Sequence, residues 1–387
     1  MSIRFSVIIP THNRAQQLLL TLASFEAQSF PKPQYEVIVV DDASTDGTQE
    51  MVIRFASSYT LKYVRHEENK GRSITRNRGL QHAAGEYVIF CDADFLVLPK
   101  FLDTMSRYTI DHPKAVFSGV PYSWNDVYTH YHPDFSPEEK ELFRQVLTAA
   151  GGWKNEYETA EGVIPLLSPE ELMHGDGQAL LTRYLLPPDV PPDVQQQFCM
   201  TDVAPWIMFI TRCVTVRRDD LNRAGGFNER FINHGLEDWD LGYRLHRLKI
   251  PYVVVAELLG YHQEHPNHVR GVSSNSDNLR IMFEQYGFRD PELNMLALYP
   301  AWMDVEVFKH TLRMIRPRSR FRSVRRASFL LRRTLHLAAL QFYHRRKSPV
   351  FPRALRLIRR QVRVTKRNRE TVIALRRMLN RSMELIE

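Results

Sequence analysis

At 387 residues, 43% hydrophobic and 25% charged, the chain is long enough to bury a large core and to hold more than one unit. Its net charge of +8 is unevenly placed: residues 301–387 hold 24 Lys and Arg against 5 Asp and Glu, a local charge of +19, which leaves residues 1–300 at −11. Three scattered cysteines, Cys91, Cys199 and Cys213, exclude a disulfide framework or a zinc spacing and suit a reducing compartment. No apolar run reaches about 18 residues, so no spanning helix is expected, and the apolar stretch of MSIRFSVIIP is too short for a secretory leader.

The first hundred residues alternate between two periodicities. RFSVIIP, YEVIVVDD, LKYVRHEE and EYVIFCDAD read as strands. Between them, Asn13 to Gln28, STDGTQEMVIRF and SITRNRGLQHAAG read as helices. Ser44 or Thr45 suits the N-cap of the second helix, and Gly85 the close of the third. Continuous apolar strands separated by helices predict a mostly parallel sheet covered on both faces. Ligands of such sheets bind beyond the carboxyl ends of the strands. Two strands end there in acid pairs: Asp41 with Asp42, and Asp92 with Asp94. PTHNR, after the first strand, offers Pro10, Thr11 and Arg14 to the same cleft. ENKGRSITRNRG adds the cations Lys70, Arg72, Arg76 and Arg78, which suit phosphate oxygens or a helix surface.

Residues 121–205 lose this rhythm and are rich in Pro, Tyr and Trp. Such a length without periodicity predicts an embellishment or functional loop. Patterning resumes at CVTVRRDDLNRAGGFNERF and continues into HGLEDWDLGYRL, which places Glu237, Asp238 and Asp240 at the start of a helix. Acids there are favoured by the helix dipole, and Asp240 can pair with Arg244 four residues on. IPYVVVAELLG then reads as a strand, followed by His262 in GYHQEH. Beyond residue 300, helices interrupted at Pro317, Pro349 and Pro352 mix Leu and Phe with Arg. That pattern fits helices packed on the body with a solvated basic face, or an amphipathic surface on anionic lipid. No aromatic-rich motif accompanies the charge, so no nucleic acid is expected.

Two carboxylates two residues apart on one strand point to one face. Asp92 and Asp94 in CDAD would then repel each other unless a cation such as Mg²⁺ or Mn²⁺ sat between them, and such a cation also holds diphosphate oxygens. His262 is placed to add an imidazole.

In order along the chain, SVIIPTHNR, VVDDASTDGT, NKGRSITRNRG, the Asp-x-Asp of CDAD, and GGFNERF followed by GLEDWDLGYRL resemble glycosyltransferase family 2. The last pair is also similar to the C-terminal motif of galactosyltransferase and N-acetylgalactosaminyltransferase domains. The resemblance covers about residues 3–265 without the 121–205 insertion. It implies a GT-A fold, Rossmann-like with a mostly parallel central sheet and helices on both faces, over residues 1–300; charge and pattern add a basic α-helical region at 301–387. It implies that Pro10, Thr11, Arg14, Asp41, Lys70, Arg76 and Asp92 bind the nucleotide-sugar, with Asp41 reading the base. Asp92, Asp94 and His262 would hold Mn²⁺ or Mg²⁺. Asp238 would be the general base, with Glu237 and Trp239 facing the acceptor. The implied activity is inverting transfer from a UDP-sugar of the Gal, GalNAc, Glc or GlcNAc type to a glycan or lipid-linked acceptor. Its setting would be cell-surface polysaccharide or glycoconjugate synthesis, in the cytoplasm or peripheral on the inner membrane face. A catalytically idle GT-A module that binds a sugar nucleotide or scaffolds a polysaccharide assembly is the reading from another class, a retaining transferase is the lesser alternative, and self-association through the tail is a further expectation. Ile74 and Thr75 stand where many relatives carry Ala.

Overall fold

The structure is a computed structural model that describes residues 2–345, apart from 121, 124, 175–176, 189, 268–273 and 316–321. It divides the chain into two compact units. One comprises Met1–Pro191 and Met208–Ser273, the other Pro192–Ile207 and Ser274–Glu387. The division near residue 274 precedes the charge step near 300, because helix packing rather than charge delimits the second unit.

The first unit opens with β1 (Phe5–Thr11), α1 (Ala15–Glu26), β2 (Tyr35–Asp41), α2 (Thr48–Arg54), β3 (Thr60–Arg65), α3 (Arg72–His82) and β4 (Tyr87–Cys91). It continues through β5 (Phe95–Val97), α4 (Phe101–Asp111) and β6 (Val116–Ser118). The 121–205 stretch supplies β7 (Asp126–Val127), β8 (His130–Tyr131), α5 (Pro137–Ala149), α6 (Glu156–Thr159), β9 (Ile164–Pro165), α7 (Pro169–His174) and α8 (Gly177–Arg183), while its α9 (Pro192–Phe198) belongs to the second unit. The first unit closes with β10 (Cys213–Arg217), α10 (Arg218–Ala224), α11 (Glu237–Arg247), β11 (Tyr252–Val254) and β12 (Gly260–Gln263).

Seven strands form the main sheet in the order β11-β6-β10-β4-β1-β2-β3. All neighbours in it pair in parallel except β10, which runs antiparallel to β4 and β6. Every residue of β2 and β4 is buried, as continuous apolar runs require of strands covered on both faces. A second, three-stranded sheet has the order β5-β12-β7. The fold expected from the sequence is therefore present, with local differences. The N-cap of α2 is Gly47 at φ 77°, not Ser44 or Thr45. Ser44 instead accepts a hydrogen bond from the Asn13 backbone, and the Thr45 amide donates to the Asn13 side chain, which ties two strand-end loops together. Helix α3 ends before Gly85, whose added Cβ would meet the Ser6 amide nitrogen at 2.6 Å.

The 121–205 stretch is no loose embellishment. Tyr128, Tyr131, Phe135, Phe143, Leu147 and Tyr157 are buried in a core of their own with Leu20, Leu96 and Tyr261. Period counting misses it because its elements are mostly too short to show a repeat.

The second unit is helical: α9, α12 (Asn275–Tyr286), α13 (Pro291–Leu296), α14 (Val305–Ile315) and α15 (Arg322–His344). Trp206 donates to Glu292 at 3.0 Å, and the buried Lys309 ammonium donates to the Phe198 carbonyl at 2.7 Å and to that of Met200. These bonds fasten residues 192–207 to the unit. On α15, Leu331, Leu335 and Ala339 are buried, whereas Phe329 is exposed under the Arg333 guanidinium. Pro317, Pro349, Pro352 and the basic stretch from 346 to 387 lie outside the described residues. No helix among the described residues is long and apolar enough to cross a membrane.

Candidate active site

The carboxyl ends of β1, β2 and β4 carry the residues singled out from the sequence. Pro10 and Thr11 close β1; Thr11 is buried, and its Oγ1 has no hydrogen-bond partner among the described residues. Asp41, wholly buried, accepts from the Ser44 amide at 2.8 Å and from the Tyr63 hydroxyl at 2.6 Å. Asp42 accepts from the amides of Lys70 at 2.7 Å and Gly71 at 2.9 Å, and so pins the loop before α3. Arg14, at the start of α1, is half-buried; burial pushes its guanidinium down, and the nearby Asp94 opposes that. The Lys70 ammonium sits at the surface in an ion pair with Glu68.

The Asp-x-Asp departs from its strand-based expectation. Strand β4 ends at Cys91, so Asp92 and Asp94 sit in a turn and diverge. Asp92 lies 3.7 Å from the Arg76 guanidinium. Asp94 faces two imidazoles instead: its Oδ2 is 3.7 Å from Nε2 of His262 and 3.4 Å from Nε2 of His265. Among the described residues, two groups bring ligand atoms within 4.8 Å of one another: Asp94 with His262 and His265, and Asp126 with His262 and Glu264. Asp92 falls outside both, and the three-residue spacing in HQEH is the sequence signal for His265.

Arg76 lies far deeper than a surface phosphate ligand. It is 2% exposed and rests over the Phe227 ring. One of its terminal nitrogens reaches Glu237 at 3.3 Å and Asp238 at 3.4 Å, and the other reaches Asp92. A single buried cation therefore serves three carboxylates. Burial works against its charge, while Asp238, Glu237 and Asp92 hold it on.

The start of α11 is shaped for this. Leu236 at φ 63° and Gly235 at φ 116° turn the chain sharply into the helix, and left-handed backbone at a branched residue is strained. Glu237 is buried and folds back to accept from the Gly235 amide at 2.7 Å. Burial raises its pKa, but His234 and Arg76 more than offset that and hold it down at about 2. Asp238 accepts from the Thr211 amide at 3.0 Å and from the Thr211 hydroxyl, which fixes the carboxylate plane. Burial pushes Asp238 up to about 6 against the pull of Arg76, with Glu237 adding to the rise. Adjacent acids are thus driven apart, Glu237 downward and Asp238 upward, a pattern that suits a general base. Trp239 is half-buried beside them. Asp240 is wholly buried and takes both arms of Arg244, at 2.7 and 3.0 Å, as the four-residue spacing predicts.

Acids at the strand ends, a carboxylate facing two imidazoles and a raised carboxylate at a helix start thus lie together in the first unit. Comparison with known proteins gives the family. Residues 6–161 match Glycosyl transferase family 2 and residues 192–299 match Glycosyltransferase like family 2. YfnE of Bacillus subtilis, an uncharacterized glycosyltransferase, is 30% identical over 285 residues, which cover 73% of this chain and 70% of that protein. Validoxylamine A glucosyltransferase of Streptomyces hygroscopicus subsp. jinggangensis is 30% identical, with 74% of this chain covered, and chondroitin synthase of Escherichia coli is 30% identical, with 67% covered. The chain spans 61% and 35% of those two proteins' lengths. Among solved structures, S. aureus TarS 1-349 in complex with UDP superposes with a TM-score of 0.51 at 16% identity, covering 99% of this chain and 92% of that one, which speaks to the fold. The chain belongs to glycosyltransferase family 2 and has the GT-A fold.

Proposed function

We propose that this glycosyltransferase is metal-dependent and inverting, and moves a hexose or N-acetylhexosamine from a UDP-sugar to a hydroxyl of a glycan or lipid-linked acceptor, in cell-surface polysaccharide or glycoconjugate synthesis. The observation that carries it is the division of labour among the acids: Asp94 faces imidazoles, and Asp238 is held near neutrality. Solved TarS structures with UDP and with UDP-GlcNAc support a UDP-linked donor.

The triad fits a divalent ion. Nδ1 of His262 is engaged by Asp126 at 2.9 Å and Nδ1 of His265 by the Pro266 carbonyl at 3.3 Å, which leaves both Nε2 lone pairs toward Asp94. Gaps of 3.4 and 3.7 Å between donor atoms suit an ion about 2–2.5 Å from each. One carboxylate with two imidazoles favours Mn²⁺ over Mg²⁺. When bound, the ion neutralises charge on the diphosphate.

The chain's own residues do the rest. Thr211 and Arg76 orient Asp238, which takes the proton of the acceptor hydroxyl. The acceptor oxygen bonds to the anomeric carbon as the carbon–phosphate-oxygen bond breaks, and UDP leaves with the electron pair. Attack opposite the leaving group inverts the anomeric centre. Thr11, Arg14 and Asp41 line the strand ends where the nucleotide would lie, and Glu237 and Trp239 flank the base on the acceptor side.

A panel of UDP-sugars with Mn²⁺, read as released UDP, tests this. One donor should turn over, and chelation should stop it. UDP binding without turnover of any donor would favour the idle module.

The basic C-terminal stretch, together with Phe329 exposed beside Arg333 on α15, supports docking on an anionic membrane face. The full chain should sediment with vesicles containing anionic lipid and be released by salt; equal sedimentation with neutral vesicles would remove this reading.

A further inference from the structure

We propose that Asp126, contributed by the 121–205 stretch, is a positioning residue for the metal-binding imidazole of His262. The inference rests on the reading of Asp94, His262 and His265 as a cation site.

The small sheet builds the arrangement. Strand β12 lies between β5 and β7, with His262 opposite Phe95 on one side and opposite Asp126 on the other. The β12 backbone is fastened to both flanks: the Gln263 amide donates to the Asp94 carbonyl at 2.8 Å, the His262 amide to the Asn125 carbonyl at 2.9 Å, and the Glu264 amide to the Val127 carbonyl at 2.9 Å. Asp94 and Asp126 therefore approach His262 from opposite sides. Nδ1 of His262 donates to Oδ1 of Asp126 at 2.9 Å, while Nε2 is turned toward Asp94. A neutral imidazole has one donor and one acceptor nitrogen. A carboxylate holding the proton on Nδ1 fixes the tautomer whose lone pair is on Nε2, orients the ring and raises its basicity. Arg212 lies 3.9 Å from the same Asp126 oxygen. His262 is 5% exposed, so water offers little substitute for this partner.

The consequence is that the stretch without a recognisable motif is part of the catalytic scaffold. It carries Asp126 on β7, and the Thr129 hydroxyl donates to the Gln263 side chain at 3.0 Å.

The test is a Mn²⁺ titration of the full chain, with free Mn²⁺ read by electron paramagnetic resonance and UDP affinity measured without metal. Wild type should bind one Mn²⁺, and Asp94→Asn should abolish that binding. Asp126→Asn should weaken it about 10- to 100-fold with metal-free UDP affinity unchanged, and Asp126→Glu should recover part of the loss. Asp126→Asn binding Mn²⁺ like wild type, while Asp94→Asn does not, would overturn the role of Asp126 and leave the site standing. Loss of metal-free UDP binding in Asp126→Asn would replace positioning by a general structural role. A wild type that takes up no Mn²⁺ overturns the site, and this inference with it. Two equivalents per chain would make Asp126, with His262 and Glu264, a ligand set of its own and overturn the positioning role.

Discussion

Two clusters of buried and half-buried acids in this molecule solve the same electrostatic problem in opposite ways. Around α11, Asp92, Glu237 and Asp238 share the buried guanidinium of Arg76, so the compensating charge is covalently part of the fold. Around β12, the ion-pair partners of Asp94 among the described residues are the imidazoles of His262 and His265, and imidazoles compensate a carboxylate only when protonated. Burial pulls Asp94 upward, but His262 and His265 more than offset it and hold the carboxyl well below its usual range. One cluster is complete as folded and tunes its members against one another. The other is a donor set that a divalent ion would complete. On the proposed function, the difference has a use: charge is fixed where a proton would be held at a chosen affinity, and left open where a diphosphate would arrive with its own counter-ion.

The largest expected effect breaks the first cluster at its working member. Asp238→Asn keeps the size and the Thr211 hydroxyl contact but cannot accept a proton. Transfer should fall about a thousandfold, within the range for a lost general base, while UDP affinity stays at the wild-type value. In the wild type, kcat should rise with pH through about 6, because the base works only when ionised and burial has raised Asp238 to that point. The sign matters for stability also. A carboxyl raised in the folded state favours folding while protonated and loses that contribution as pH climbs through 6, whereas Glu237, held at about 2, contributes above its unfolded value and loses its effect only in strong acid. Asp238→Asn with near-normal turnover, or a flat profile from about pH 5 to 8, would take the base away from Asp238.

Much of this architecture is legible in the sequence, and the illegible parts have physical causes. Long buried strands with β-branched runs announce themselves, and so does a helix whose Leu241 and Leu245 are both fully buried. The order of strand-end acids also placed Asp41, Asp92, Asp94 and Asp238 in one unit. What periodicity could not supply was direction. Alternation along a strand predicts that Asp92 and Asp94 share a face, but β4 ends at Cys91, before either of them, so the rule does not apply. Arg76 looks like a surface cation in SITRNRG, because no local pattern shows that Phe227, Glu237 and Asp238 close over it. Asp126 meets His262 and Arg212, and Thr211 meets Asp238, all more than twenty positions away in sequence. Such contacts leave no local trace.

A smaller effect, on stability, sharpens the contrast between the clusters. Arg76→Met keeps length and apolar volume but removes the cation from three carboxylates. Breaking a buried ion pair from one side typically costs about 3–5 kcal/mol. Here the cost should lie near the lower end, about 3 kcal/mol, because Asp92 and Asp238 retain side-chain exposures of 33% and 18% and recover some hydration. Without Arg76 the pull that lowers Glu237 and restrains Asp238 is gone, so the variant can take up protons to relieve the repulsion. Its deficit relative to wild type should therefore be small at about pH 5 and widen toward pH 8, the opposite of a simple packing loss, which would be the same at both. Urea unfolding of both proteins at the two pH values measures this. A deficit independent of pH would mean that Arg76 contributes through its contact with Phe227 rather than through charge, and the two clusters would then differ less than their geometry implies.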